Sequence, residues 1–332
     1  MKPSALTVAL SLSCLAALIA ACFLGPTAME PGRVFKALFG LGGGADTTII
    51  WAIRLPRALA ALVVGMALGI SGGALQGLLR NPLAEPGVLG VSASASLCAT
   101  VAIYYGFAAL SPWAMPVAAI GGALLATAII AFAALRTQSI VTLILIGVGL
   151  SSFAGAAMSL LMNLAPNPFS LADLINWMLG SVANRSFVDI GFAAPFLAVG
   201  FAIVISTRRG LSALTLGEEA AQGLGLDLKR QRLAVVLGAG LLSGAAVSIA
   251  GAIGFVGIIA PHVVRPWVGY DPARTLLPAG LLAGLLLVMA DIAVRLAPTT
   301  NELKLGVVAA LIGAPAFVWI AAARRSQGAA DG

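Results

Sequence analysis

Long apolar runs, separated by short polar punctuation, set the pattern of this chain. They fall near residues 5–24, 57–79, 88–110, 113–135, 141–164, 188–206, 232–250, 254–269, 275–296 and 305–323. Most approach the roughly 20 residues that an α-helix needs to cross a bilayer. All are predicted as helices, because an unclosed sheet would leave backbone groups unpaired in hydrocarbon. The pattern therefore predicts an all-α polytopic membrane protein, one transmembrane domain over residues 1–332 with about ten transmembrane helices. An even number of crossings puts both termini on one side.

Composition agrees with this reading. Sixty per cent of the 332 residues are hydrophobic, 9% are charged and the mean hydropathy is +1.05. Soluble domains carry about a quarter charged residues. The net charge of +7 reports topology rather than nucleic-acid binding, since Lys and Arg prefer cytoplasmic loops. With the N-terminus cytoplasmic, twelve Lys and Arg fall inside and seven outside (Arg33, Lys36, Arg54, Arg57, Arg185, Arg295 and Lys304). Both termini are expected to be cytoplasmic. Cys14, Cys22 and Cys98 sit in apolar runs without metal-ligand spacing and read as small hydrophobes. LIAAC, ending at Cys22, also fits a lipoprotein cleavage site, but a first membrane helix accounts for it better, because many more spans follow.

The run QGLLRNPLAEPGVLG (76–90) interrupts two long apolar stretches. Pro82 and Pro86 disfavour helix around them, and Asn81 can close the preceding helix in a left-handed conformation. A tight cytoplasmic turn is expected here. Glycine-rich stretches at 65–74 and 238–246 are expected to let helix backbones approach closely.

Three arginines run against the charge bias. Arg54 and Arg57 share one face at the start of a span, beside Pro56, and Arg295 ends another with Asp291 one turn before it. Positive charge at a helix N-terminus calls for an anion. An acidic partner is expected there, unless Asp291 and Arg295 simply neutralise each other.

No lysine is followed by Ser or Thr: Lys2, Lys36, Lys229 and Lys304 precede Pro, Ala, Arg and Leu. A P-loop needs that pair to hold phosphate and magnesium, so the chain is expected to bind no cofactor of its own. The longest cytoplasmic segment, 207–231, contains LSALTLGEEAAQGLGLDLKRQR. Thr215 and Glu218 have capping-box spacing for a short helix that Gly223 or Gly225 could end.

RLPRALAALVVGMALGISGGALQGLLRNPLAEPGVLGVS (54–92), LGEEAAQGLGLDL (216–228), GAIGFVGIIAPHVVRPWVG (251–269), LLPAGLLAGLLLVMADIAVRLA (276–297) and LGVVAALIGAPAFVWI (305–320) resemble, in order, the FecCD-type permeases. These are membrane subunits of bacterial ABC importers for iron complexes, haem and vitamin B12. The resemblance implies the type II permease fold of the bacterial inner membrane. It implies a second copy of the chain, two ABC ATPase subunits that bind ATP and magnesium, and a periplasmic substrate-binding protein. The chain itself would not be an enzyme. Leu216, Gly217, Glu218 and Glu219 match the coupling segment that docks on the ATPase. Arg54, Arg57 and Arg295 match positions that receive acidic side chains of the binding protein. Ser139 and Thr142 lie where the family narrows its exit, although Thr142 stands where an arginine is common. Lys304 replaces a common proline. Residues 167–187 should form a short helix near the pathway mouth, and a structural hydrogen bond suits His262 better than haem ligation. An iron(III)-siderophore chelate is the expected cargo, with haem or cobalamin as the alternative. An ion-coupled carrier is less favoured, since it needs ionisable groups at mid-membrane and Asp291 is the main candidate.

Overall fold

A computed structural model of the chain describes residues 3–137, 139–298 and 302–328, with side chains as far as residue 318. The order is α1 (Pro3–Phe23), α2 (Pro31–Leu38), α3 (Gly44–Thr48), a π-helical turn (Ile49–Arg54) that runs directly into α4 (Leu55–Leu79), α5 (Val91–Tyr104), α6 (Phe107–Leu110), α7 (Ala114–Arg136) and α8 (Ile140–Asn163). It continues with α9 (Pro168–Met178), α10 (Phe187–Ser206), α11 (Arg208–Ala213), α12 (Glu218–Gly223), α13 (Leu228–Ala250), α14 (Val256–Val264), α15 (Pro272–Leu296) and α16 (Leu305–Gly328). The described residues contain no strand. Lys2 lies outside them, and the side chains of Arg324 and Arg325 lie outside the described part of α16.

Local chemistry sets many of the helix starts. Ser139, Asn167, Ser186, Asp227 and Asp271 each accept a backbone N–H with their side chain at the N-terminus of α8, α9, α10, α13 and α15. Ser186 and Asp189 form a reciprocal capping box. Pro168 and Pro272 occupy first turns, where a missing N–H costs nothing. The π turn ends two residues before Pro56, which cannot donate to the preceding turn.

The centre of the bundle is α4, packed against α15 and α13; α13 also packs on α7 and α10. Small residues make these contacts possible. A Cβ on Gly65 would lie 2.5 Å from the Ala283 carbonyl oxygen and 2.6 Å from Gly284 Cα. One on Gly72 would collide with the Gly257 carbonyl of α14. Lipid gives apolar helices no reason to pair, so close backbone contact provides the attraction instead. By contrast, α1, α8 and α10 leave most of their apolar surface uncovered.

Seven helices among the described residues are long and apolar enough to cross a bilayer. Two expected spans are shorter than the sequence suggests. The run at 88–110 is α5, 14 residues, followed by the one-turn α6. The run at 254–269 is α14, nine residues, followed by a 3-10 turn.

The short helices share a cause. Residues 80–90 do not make a surface turn: Ala84, Pro86, Leu89 and Gly90 are buried, and Gly90 packs on Gly147 and Leu150 of α8. Arg80, not Asn81, takes the left-handed position that ends α4 (φ 49°). Asn81 instead accepts the Leu83 N–H with its side chain, 3.0 Å. The chain turns back into the bundle, so α5 starts inside it. Likewise α14 starts beside Leu68 of α4, about 16 Å along the helix from its end at Leu79. Non-helical backbone at this depth is tolerated where protein surrounds it.

Candidate functional site

At one end of the bundle the sequence places Arg54, Arg57 and Arg295, and the fold brings all three together. They are buried, with 4%, 9% and 7% of their surface accessible. Arg57 donates from Nε (2.8 Å) and Nη2 (2.7 Å) to Asp291 Oδ1, and also pairs with Glu302. Arg295 Nε lies 3.1 Å from Asp291 Oδ2, an ion pair without hydrogen-bond alignment. Asp291, wholly inaccessible, thus sits between two guanidinium groups.

Other donors go to the C-terminal end of α1 and the residues just after it, while Arg295 Nη2 is buried without an acceptor. Arg54 Nη1 donates to the carbonyls of Cys22 (2.8 Å) and Phe23 (3.1 Å), and its Nη2 donates to Thr27 (2.5 Å). Arg295 Nη1 donates to Ala21 (3.1 Å) and Leu24 (3.3 Å). The last carbonyls of a helix lack intrahelical partners and carry partial negative charge. Asp291 and Glu302 answer Arg57 and Arg295 from within the chain, while Arg54 rests on carbonyl oxygens alone. Their arrangement ties α1, α4 and α15 into one unit.

At the opposite end, α12 begins at Glu218 behind Gly217 (φ 102°). Thr215 does not cap it; its hydroxyl donates to the Ser212 carbonyl within a 3-10 turn, which removes the expected capping box. Gly225, at φ 87°, takes the left-handed position just past the helix, as expected. Glu218 accepts from Arg232 Nη2 at 2.7 Å, pinning α12 to α13. Glu219 points outward, and Leu216 and Leu224 are 67% and 70% exposed on either side. Two large apolar side chains flanking an exposed carboxylate form a small knob.

Ser139 and Thr142 belong to the start of α8, where the Ser139 hydroxyl accepts the Thr142 N–H at 3.2 Å. They act there as a helix cap. His262 is half-buried in α14, and no group of three or more metal-ligating side chains exists among the described residues.

Sequence reasoning missed the contact at the middle of the bundle. Glu85 Oε2 accepts the Phe255 N–H at 3.2 Å, joining the inward-turned 80–90 segment to the start of α14. Phe255 itself has φ 66°, a left-handed conformation costly for a bulky residue. Glu85 borders a 110 Å³ cavity with Leu68, Gly254 and Gly257, and Phe255 follows Gly254 in the chain. The available signal was Glu85 itself, a single carboxylate between two prolines with no cation beside it before or after.

Residues 13–323 match the family model described as the FecCD transport family. The chain is 40% identical over 280 residues to the vitamin B12 import system permease protein BtuC of Klebsiella pneumoniae, covering 84% of each protein. It is 39% identical over 292 residues to BtuC of Vibrio cholerae, covering 87% of each. A Bacillus subtilis protein, the uncharacterized ABC transporter permease protein YvrB, is 37% identical over 300 residues, 86% of this chain and 84% of the relative. A solved structure described as an inward-facing conformation of a putative metal-chelate type ABC transporter superposes with a TM-score of 0.83. It is 28% identical, covering 96% of this chain and 99% of the other. Sequence and fold agree along nearly the whole length: this chain belongs to the FecCD transport family of ABC permeases.

Proposed function

We propose that two copies of this chain form the membrane pathway of an ATP-driven importer in the bacterial inner membrane. Two separate ATPase subunits and a periplasmic binding protein complete it. The observation that carries this reading is the match to importer permeases over residues 13–323 with a common fold. The exposed knob of Leu216, Glu219 and Leu224 supports docking on an ATPase groove, with Glu218 holding the knob to α13 through Arg232. The Arg57 end is then periplasmic and both termini are cytoplasmic.

The cargo we favour is cobalamin, because relatives at 39% and 40% identity carry that name. A ferric siderophore, the first expectation from the sequence, is the second reading, and the metal-chelate description of the solved neighbour accommodates it. Docking of the binding protein on Arg54, Arg57 and Arg295 stays in the proposal with one condition. Arg57 is the one whose partners include a half-exposed carboxylate, Glu302. An acidic receptor side chain would take the place of Glu302.

The test is uptake by vesicles holding the permease with its ATPase and binding protein. Cyanocobalamin should accumulate only with ATP and should continue to do so after the proton gradient is collapsed. Uptake of a ferric siderophore instead would select the second reading. Uptake abolished by an uncoupler at constant ATP would remove ATP coupling altogether.

A further inference from the structure

Beside α9, at the Arg57 end, a 380 Å³ cavity brings together side chains that the ionic cluster does not use. Its polar wall contains Arg185, Trp177, Asn176, Asp173 and Lys304, and Ile103 contributes to an apolar wall. Arg185 has no hydrogen-bond or ion-pair partner among the described residues; its Nε is buried and unsatisfied. The nearest acid in sequence, Asp189, is occupied by the Ser186 backbone N–H (2.8 Å) and hydroxyl (2.7 Å). Trp177 lies with its ring 5.9 Å from the Arg185 guanidinium carbon, and its indole N–H is also buried without an acceptor.

Two buried donors without acceptors beside one cavity are costly, and native structures rarely leave them so. Burial presses the Arg185 pKa downward, which an opposite charge in the cavity would reverse. Lys304 adds a second cation, while Asp173 is the one carboxylate on the wall. The lining itself is therefore net positive, although Asp189 acts on Arg185 from outside it, and the donors are of the type that holds a planar or tetrahedral oxyanion. The apolar side suits a hydrocarbon body attached to that anion.

We propose that this cavity binds the oxyanion head, phosphate or carboxylate, of an amphiphilic ligand, with Arg185 and the Trp177 indole N–H as its donors. The anion has two sources: an anionic lipid headgroup or a soluble anion. Neither choice depends on the cargo or on ATP coupling.

The experiment is thermal unfolding of the full chain in phosphatidylcholine nanodiscs, because a ligand that binds the folded state raises Tm. One arm titrates inorganic phosphate; the other replaces phosphatidylcholine with increasing phosphatidylglycerol. A rise in the first arm identifies a soluble anion, and a rise in the second alone identifies a lipid headgroup. Arg185→Met should abolish the rise. Trp177→Phe, which keeps the ring and removes the donor, should increase the half-saturating concentration about fivefold, the cost of one hydrogen bond. Lys36→Gln, an exposed cation outside the cavity, should change nothing. If Arg185→Met does not fold, Trp177→Phe and Lys304→Gln decide the matter. No rise in either arm, or an equal rise in the cavity variants, overturns the proposal.

Discussion

Arg57 on α4 and Asp291 on α15, 234 residues apart, are joined by two hydrogen bonds of 2.8 and 2.7 Å, with the carboxylate itself closed to solvent. Arg295 and Arg54 extend this pair to the end of α1. The cluster is a joint between three helices, with Asp291 as the carboxylate shared by two of its arginines.

Asp291→Asn should therefore cost far more than a surface charge change. Removing one partner of a buried ion pair leaves the other charged and uncompensated, a loss of about 3–5 kcal/mol. Thermal unfolding in detergent should show a large fall in Tm for Asp291→Asn. An unchanged Tm would mean that the cluster is not a structural joint.

Glu302→Ala removes the half-exposed partner and leaves the Arg57–Asp291 bonds in place. If a receptor carboxylate replaces Glu302, this variant should bind the binding protein a few-fold more tightly, with the gain shrinking as salt rises. Exposed ion pairs contribute about 1 kcal/mol or less, so the effect is modest. Surface plasmon resonance at two salt concentrations reads it, and weaker binding at both would refute the exchange.

Leu216→Ser with Leu224→Ser should lower co-purification of the ATPase while leaving the Tm of the isolated permease unchanged, because both side chains are exposed. Glu219→Arg should act in the same direction. Glu218→Arg should lower both quantities, since it also removes the acceptor of the buried Arg232. Full recovery of the ATPase with the double leucine variant would place the dock elsewhere.

Gly72→Ala tests the crossing of α4 and α14. The new methyl would meet the Gly257 carbonyl, backbone that cannot swing aside, so α14 must shift. Overpacking of this kind costs about 1–3 kcal/mol. Gly155→Ala on α8 is the comparison, because its Cβ would meet nothing; equal Tm values for the two variants would contradict the packing described.

The sequence alone settled the class of the protein. Apolar length determines that a segment lies in lipid, and hydrocarbon then enforces helix because backbone groups have no other partners. It also revealed the glycines of α4 and the position of α12, since small residues and punctuation are local signals. It placed Arg54, Arg57, Asp291 and Arg295 as chemically important, but not what they touch. Hydropathy counts residues, not depth, so it could not separate a full crossing from α14, which starts inside the bundle. Nor could it tell that residues 80–90 turn back to meet Phe255, because Glu85 finds its backbone partner 170 positions away. Tertiary structure also chose the carbonyl end of α1 as the resting place of Arg54 and of one Arg295 donor. That choice depends on where the end of one helix meets the start of another, and only packing fixes it.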